Sequence, residues 1–340
     1  MRIFVGEYVC GGGLASEAID QIPDSLRLEG EAMLRAIVSD LSKFAETVVA
    51  ADPRLGLEID ATETFAMDPG QPIWAQWIEA AKGCDSALIV APEGNGVLAK
   101  GVAMLRAGGV DVIAGSGDFL RVGSDKLQTA KVLLAAGISH PLTMTLSDRR
   151  CEKKLAKCDR FVVKPRDGCG TQDIQIIDSF QDACDELTEN RLLQAWIPGR
   201  PISVALVASG KQQTFLPAVG QDLDAQSHAY AGGCGPLDDD SQRRAMALAS
   251  RTIAAMPPTA RGFVGIDLLL GDRPSEDYVV EVNPRLTTSY VGLRQMIKGN
   301  LAARLFDIET GPVVCTATAE SIRWTSDGRI WVNDVVADHA

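Results

Sequence analysis

No Cys-x-x-Cys pair occurs among the eight cysteines of this 340-residue chain, and its three histidines are scattered. A zinc site of ordinary ligand spacing is therefore not expected. Basic residues are not in excess: 33 Lys+Arg stand against 45 Asp+Glu, a formal charge of −12. Affinity for a phosphate backbone rests on clustered Lys and Arg, so no nucleic-acid partner is expected. No apolar run approaches the ~18 residues of a membrane span, which argues against a membrane partner. Glu7 interrupts the apolar start that a secretion signal needs. Internal repeats and low-complexity tracts are also missing. What remains is a folded composition, 46% hydrophobic and 23% charged, long enough for two domains or three small ones. The cysteines read as reduced thiols of a cytoplasmic protein that binds a small molecule.

The first third alternates strand and helix signals. Strand-like runs at 2–5, 47–51, 86–91 and 110–114 are interleaved with helical periodicity at 29–44, 74–81 and 97–107. In the first of these helices Met33, Ile37, Leu41 and Phe44 share one face. The pattern predicts a parallel, doubly wound α/β sheet with ligand loops at the strand C-termini. The remainder reads as α+β. It has helices at 125–136, near 180–188, near 242–256 and at about 295–306. Its strands are expected at 161–164, 174–177, 192–197, 262–270 and 278–283. Hairpins are expected at 202–208/212–217 and, across Asp327-Gly328, at 322–324/330–332. The main boundary is expected near 114–118.

Asp267, Glu281 and Asn283 form the strongest chemical signal. Glu281 and Asn283 are two apart on an expected strand and so share a face. With Asp267 from the neighbouring strand they offer hard oxygen ligands that suit Mg²⁺. Without a cation, two buried carboxylates would repel and raise their pKa values. The segment Phe161-Val162-Val163-Lys164-Pro165-Arg166-Asp167-Gly168-Cys169-Gly170-Thr171 delivers a lysine to a strand end, followed by a glycine loop able to close on a phosphate. Lys126 follows Ser124, a good helix N-cap, and Asp125. A lysine in a first helical turn gains nothing from the helix dipole, whereas a phosphate there would explain it. Leu193 to Val204 reads as strand, turn, strand, with backbone groups and Gln194 available to an adenine edge. Solvated surface residues in plain loops are the competing reading for each piece alone.

Taken in this order, the pieces resemble the signature of the ATP-grasp superfamily over about residues 123–300. Glu281-Val282-Asn283-Pro284-Arg285 resembles the Glu-x-Asn-Pro-Arg of its carboxylate–amine and carbamoyl-phosphate branches, and residues 124–138 are similar to D-alanine–D-alanine ligases. The resemblance implies a parallel-sheet α/β N-terminal domain (1–115), followed by an α+β ATP-grasp fold whose two subdomains clasp ATP (116–190 and 191–310), and a C-terminal hairpin extension (311–340). It implies that Lys126 and Lys164 hold the ATP phosphates beneath the loop of Arg166, Gly168, Gly170 and Thr171. Gln194, Trp196 and Ile197 correspond to the adenine hinge. Asp267, Glu281 and Asn283 correspond to ligands of two Mg²⁺ ions, with Mn²⁺ able to substitute. Two departures stand out. Pro201 occupies the place of the usual ribose-binding acid, and Gly265 the place of an arginine in D-alanine ligases.

The implied chemistry is amide formation. A carboxylate attacks the γ-phosphorus of ATP, and an amine then displaces phosphate from the acyl phosphate. Arg285 and Lys164 are the candidate catalytic cations, and no protein nucleophile is needed; Cys169 reads as a small space-filler. Candidate substrate residues are Glu7, Gly11, Gly12 and Gly13 after the first strand, Glu93 after a later one, Thr287, Thr288 and Ser289 after Arg285, and Tyr230 in a glycine-rich stretch (220–235) read as a flexible lid. Glu7-Tyr8-Val9-Cys10-Gly11-Gly12-Gly13, Glu29-Gly30-Glu31-Ala32-Met33 and Ala91-Pro92-Glu93 resemble the N-terminal domain of tyramine–L-glutamate ligases of methanofuran biosynthesis. That resemblance implies glutamate as the carboxylate and tyramine or tyrosine as the amine, and leaves room for a homodimer. A D-alanine-type dipeptide ligase, a catalytically silent ATP-binding module and a carboxylase subunit are the alternatives. Gly265, the intact metal and phosphate set, and the lack of a biotin-carrier segment count against them in turn.

Overall fold

In the computed structural model, which describes residues 1–168, 173–209, 212–315 and 321–337, the N-terminal strands form a four-stranded parallel sheet. β1 (Arg2–Glu7), β2 (Glu46–Ala51), β3 (Glu63–Ala66) and β4 (Ser86–Val90) lie in the order β3-β2-β1-β4. β1 and β4 are apolar along nearly their whole length because helices cover both faces. Those helices are α1 (Asp24–Leu41), α2 (Ile73–Ala80) and α3 (Val97–Ala107). α1 begins earlier than its apolar periodicity suggests and ends before Phe44. The strand expected at 110–114 is reduced to one bridge between Ala87 and Val112. Its carbonyls turn instead to the Arg106 guanidinium, which donates to Val112, Ala114 and Gly115.

The chain then passes through α4 (Gly117–Gly123) and α5 (Lys126–Ala135). Asp125, not Ser124, caps α5, its carboxylate accepting from the Leu127 and Gln128 N–H groups at 2.9 and 3.2 Å. A small antiparallel sheet follows, in the order β5-β8-β6-β7. It comprises β5 (Thr143–Met144), β6 (Phe161–Pro165), β7 (Gln175–Ile177) and β8 (Arg191–Ala195), with α6 (Glu152–Leu155) and α7 (Phe180–Asp185) packed beside it. β8, expected to open the following subdomain, pairs with β5 and β6 and so belongs to this small sheet.

The large sheet has nine strands among the described residues. β9 (Arg200–Ala208) pairs with β10 (Gln213–Phe215), β11 (Val219–Leu223) and, beyond α8 (Asp239–Ala255), with β13 (Gly262–Leu270). β14 (Tyr278–Asn283) closes one edge. On the other side β11 pairs with β12 (Tyr230–Gly235), and β12 with β15 (Ile322–Thr325), followed by β16 (Ile330–Val332) and β17 (Val335–Ala337). Two sequence expectations change here. Residues 220–235 are not a free lid but largely a hairpin inside this sheet, and a Cβ at Gly233 would meet the Trp324 ring at 2.4 Å. Its glycines therefore serve close packing. The hairpin expected in the C-terminal extension is likewise part of the sheet, as β15 to β17, with Trp324 only 2% exposed. The helix expected at 295–306 divides into α9 (Ser289–Met296) and α10 (Leu301–Leu305) at Gly299, whose φ of +91° favours glycine.

The N-terminal sheet and the large sheet share one core. Leu34, Ile37 and Leu41 of α1 pack in the same cluster as Val5, Val207, Phe263, Tyr290 and Trp324. A buried polar lock crosses this interface: Arg294 meets Asp40 at 2.7 Å, and the Tyr290 hydroxyl donates to Asp40 at 2.8 Å. This fixes the N-terminal domain over the face from which β13 and β14 present their polar side chains.

Candidate active site

The antiparallel register of β13 and β14 sets Asp267 opposite Glu281 and Gly265 opposite Asn283. Asp267 accepts from Gln221 of β11 and from Asn283, both at 2.9 Å. Asn283 spends its amide N–H on Asp267, which leaves its carbonyl oxygen as the available ligand atom. Burial and the neighbouring Glu281 charge push Asp267 above the usual carboxylate range. Burial acts on Glu281 in the same direction, but Lys126 and Lys164 together outweigh it and hold Glu281 below its ordinary value. Lys126 reaches Glu281 at 3.4 Å and donates to the Gly168 carbonyl at 2.6 Å. Lys164, at the end of β6, is 6% exposed. Burial draws its ammonium down to about 8, against the pull of Glu281. All five residues line one cleft of about 400 Å³.

The hinge forms the far wall of that cleft. Gln194, Trp196 and Ile197 line it, as do Pro201 and Leu269. The Gln194 amide donates to Thr143 at 2.9 Å, so its carbonyl oxygen is the atom left to accept from a ligand. The Trp196 ring stands edge-on to His228 at 5.5 Å between centroids. Pro201 pairs with Leu269 in the sheet.

At the other end, Arg285 meets Glu93 at 2.8 Å across the two domains. Thr287, Thr288, Ser289, Tyr230 and Glu29 line the cleft beside Arg285. The Thr287 and Ser289 hydroxyls bond each other at 2.8 Å, and the Thr288 hydroxyl donates to Glu29. The Tyr230 hydroxyl accepts from the Trp324 indole N–H at 2.9 Å. A Cβ at Gly265 would lie 2.8 Å from the Thr287 methyl, so no longer side chain fits at that position.

Several expected residues are placed elsewhere. Arg166 pairs with Asp125 through two bonds of 3.0 and 2.6 Å and lines a neighbouring cavity beside α3 and α4, together with Glu93. Gly168 lines the main cleft; Gly170 and Thr171 lie outside the described residues. Glu7 and Gly11 to Gly13 do not line the cleft. The Gly11 carbonyl accepts from the Trp77 indole at 2.9 Å, and a Cβ at Gly13 would meet the Tyr8 ring at 2.5 Å. A further helix does not start at these glycines, since α1 begins only at Asp24.

Glu7 is buried against Gly30 and accepts from the Cys10 N–H at 2.8 Å. Burial raises its carboxyl from about 4.5 to about 7. The folded chain thus holds this proton more tightly than the unfolded chain. Its stabilising contribution is full below pH 4.5 and is lost as the pH climbs to about 7. Glu7→Gln is expected to remove that slope and to leave the protein more stable at pH 8 by about 3 kcal/mol. Urea unfolding of both proteins at pH 4.5 and pH 8 measures it; parallel pH dependences would contradict the assignment.

Sequence reasoning missed Gln221, His228 and Glu29 as cleft residues, and Thr143 as the partner of Gln194. Gln221 and His228 belong to the stretch read as a lid, and strand alternation there, had it been weighed, points Gln221 to the Asp267 face. Glu29 carried a resemblance but no role. Thr143 gave no signal, because it acts only through its bond to Gln194.

Comparison with known proteins agrees with this geometry. Residues 123–289 match the model of the ATP-grasp domain, and residues 45–118 that of the pre ATP-grasp 3 domain. Tyramine–L-glutamate ligase from Methanocaldococcus fervens is 26% identical over 210 residues, which span 62% of this chain and 62% of that enzyme. The match therefore covers less than two thirds of the relative's length. A crystal structure described as an ATP-grasp superfamily protein from Archaeoglobus fulgidus superposes with a TM-score of 0.72 at 23% identity, covering 95% of this chain and 92% of the other. N5-carboxyaminoimidazole synthetase from Staphylococcus aureus, complexed with ADP, gives 0.66 at 13% identity, with 92% and 79% covered.

Proposed function

Because this chain belongs to the ATP-grasp superfamily, we propose that it is an ADP-forming carboxylate–amine ligase that joins glutamate to tyramine or tyrosine through an acyl phosphate. The observation that carries the reading is the convergence of Lys126, Lys164, Asp267, Glu281 and Asn283 in one cleft. Two lysines, one of them deeply buried, face a strand pair bearing two carboxylates. A nucleotide polyphosphate with divalent cations satisfies both sets of charge at once.

The donor set fits Mg²⁺. Asp267 and Glu281 are hard ligands, and burial with a like charge nearby is a cost that a cation removes. Among the described residues there is no cluster of three or more acidic, His or Cys ligands; a cation held by two carboxylates and an amide oxygen leaves its other positions to water and phosphate oxygens. Mg²⁺, or Mn²⁺ in its place, would neutralise phosphate charge there.

The chain's own groups account for the rest. Lys126 and Lys164 hold the phosphates and the charge that develops as the substrate carboxylate attacks the γ-phosphorus. Arg285, kept in place by Glu93, stabilises the oxygens of the acyl phosphate. Gln194 and the backbone of Trp196 and Ile197 hold the adenine. The amine then displaces phosphate, and no protein nucleophile takes part. Thr287 fills the space beside Gly265, which separates this cleft from that of a D-alanine-type ligase. Among the described residues no helix is long and apolar enough to cross a membrane. ATP as substrate and cysteines read as reduced thiols suit a cytoplasmic reaction, and the likeness to tyramine–glutamate ligases suits a place in assembling a furan-type one-carbon carrier.

Incubation with ATP, Mg²⁺, glutamate and tyramine or tyrosine is expected to release ADP together with a mass-identifiable amide. ADP release that requires D-alanine and ignores glutamate would overturn the substrate assignment.

A further inference from the structure

The charged groups of the cleft are paired unevenly. Glu281 has Lys126, Arg285 has Glu93 from the neighbouring cavity, and Asp267 has the amides of Gln221 and Asn283. Glu29, half-buried on α1, has the Thr288 hydroxyl. Among the described residues it makes no ion pair. Thr288 is 4% exposed and stands just ahead of α9, so its hydroxyl is a fixed donor that orients the Glu29 carboxylate from the opposite domain. Glu29 and Tyr230 line the same cleft, and the Glu29 charge is felt at the Tyr230 ring, whose hydroxyl is itself anchored by Trp324.

Lys126, Lys164 and Arg285 make the phosphate end of the cleft cationic. An ammonium is repelled there, whereas a carboxylate that has no cation among the described residues attracts it. We propose that Glu29, oriented by Thr288 and flanked by Tyr230, is the recognition site for a primary ammonium group of a substrate. This rests on the ligase reading, and it adds the residue that selects a cationic substrate. Two sources offer that group: the free amine before it loses its proton to react, and the α-ammonium of the carboxylate donor. The chemistry at Glu29 is the same for both, a charge-assisted hydrogen bond from N⁺–H to carboxylate.

The test is calorimetric titration of the full chain, loaded with Mg²⁺ and ADP, using two matched pairs: tyramine against its alcohol analogue 4-(2-hydroxyethyl)phenol, and glutamate against glutarate. Glu29→Gln keeps the shape and still accepts from Thr288. It is expected to weaken the ammonium member of one pair by about 10–100-fold and its neutral partner by less than about twofold. The pair affected identifies the source. Glu29→Asp is expected to restore part of the preference. Equal losses within each pair, unchanged affinities, or a wild-type chain that does not prefer the ammonium member of either pair would overturn the proposal. Ammonium preference that depends on Glu29 in a chain that never releases ADP would instead leave this site standing and defeat the ligase reading.

Discussion

Glu281→Gln is expected to lower kcat by about 10²–10³-fold while the protein stays folded. Glu281 lies beside Lys126 and Lys164 and opposite Asp267, so on the proposed reading its charge would serve the cation and the lysines together. Gln keeps the size and one ligand oxygen but removes the charge that makes the site selective for a divalent ion. Because Glu281 is flanked by cations in the free protein, losing it also leaves the buried Lys164 and half-buried Lys126 ammonium groups without their carboxylate. The apparent requirement for Mg²⁺ should rise in parallel with the loss of turnover. Steady-state ADP release across a Mg²⁺ series, with circular dichroism as the folding control, measures both. Near-normal turnover at ordinary Mg²⁺ would remove Glu281 from the metal site.

The two lysines are expected to fail differently. Lys164 is buried to 6% exposure at the end of β6, where water cannot stand in for its charge. Lys164→Ala should lower kcat/KM by about 10²–10³-fold, chiefly through kcat, because the lost interaction grows as charge develops on the transferred phosphoryl group. Lys126 has its ammonium divided between Glu281 and the Gly168 carbonyl. Lys126→Ala should act mainly on ATP binding and raise its KM by about 10-fold or more with a smaller change in kcat. Full kinetic profiles for ATP separate the two cases. Identical kcat losses in both variants would contradict the division of roles.

The placement of the cleft's polar residues was more legible in the sequence than the framework around them. Period-2 spacing puts Glu281 and Asn283 on one face, and the structure aligns that face with Asp267 through the register of β13 and β14. Those two strands have the limits that their apolar runs suggest. Three strands of the N-terminal parallel sheet, β1, β2 and β4, were readable because strands buried on both faces are apolar; β3 (Glu63–Ala66), largely exposed, was missed. The failures have physical causes too. Glycines in 220–235 suggested mobility, yet Gly233 is small because Trp324, some ninety residues further on, packs against it. Gly11 to Gly13 suggested an anion loop, yet they are small because Trp77 and Tyr8 occupy the space beside them. Arg166 suggested a phosphate contact, and Asp125 takes its guanidinium instead. Apart from Tyr8, which lies in the same turn as Gly13, the deciding partner is distant in the chain or belongs to another element, and local pattern carries no trace of it. Glu29 is the same case, since only the meeting of α1 with Thr288 brings it into the cleft.

The central claim is that a substrate carboxylate is activated by phosphoryl transfer before the amine attacks. Glutamate labelled with ¹⁸O in its carboxylates tests this directly. Attack on the γ-phosphorus makes a carboxylate oxygen the bridge of the acyl phosphate, and displacement by the amine breaks the carbon–oxygen bond, so that oxygen leaves with phosphate. Mass spectrometry of a complete reaction with tyramine is expected to find one ¹⁸O in each inorganic phosphate, formed in equal amount with ADP and amide. Unlabelled phosphate beside an amide product, or release of AMP and pyrophosphate, would contradict it.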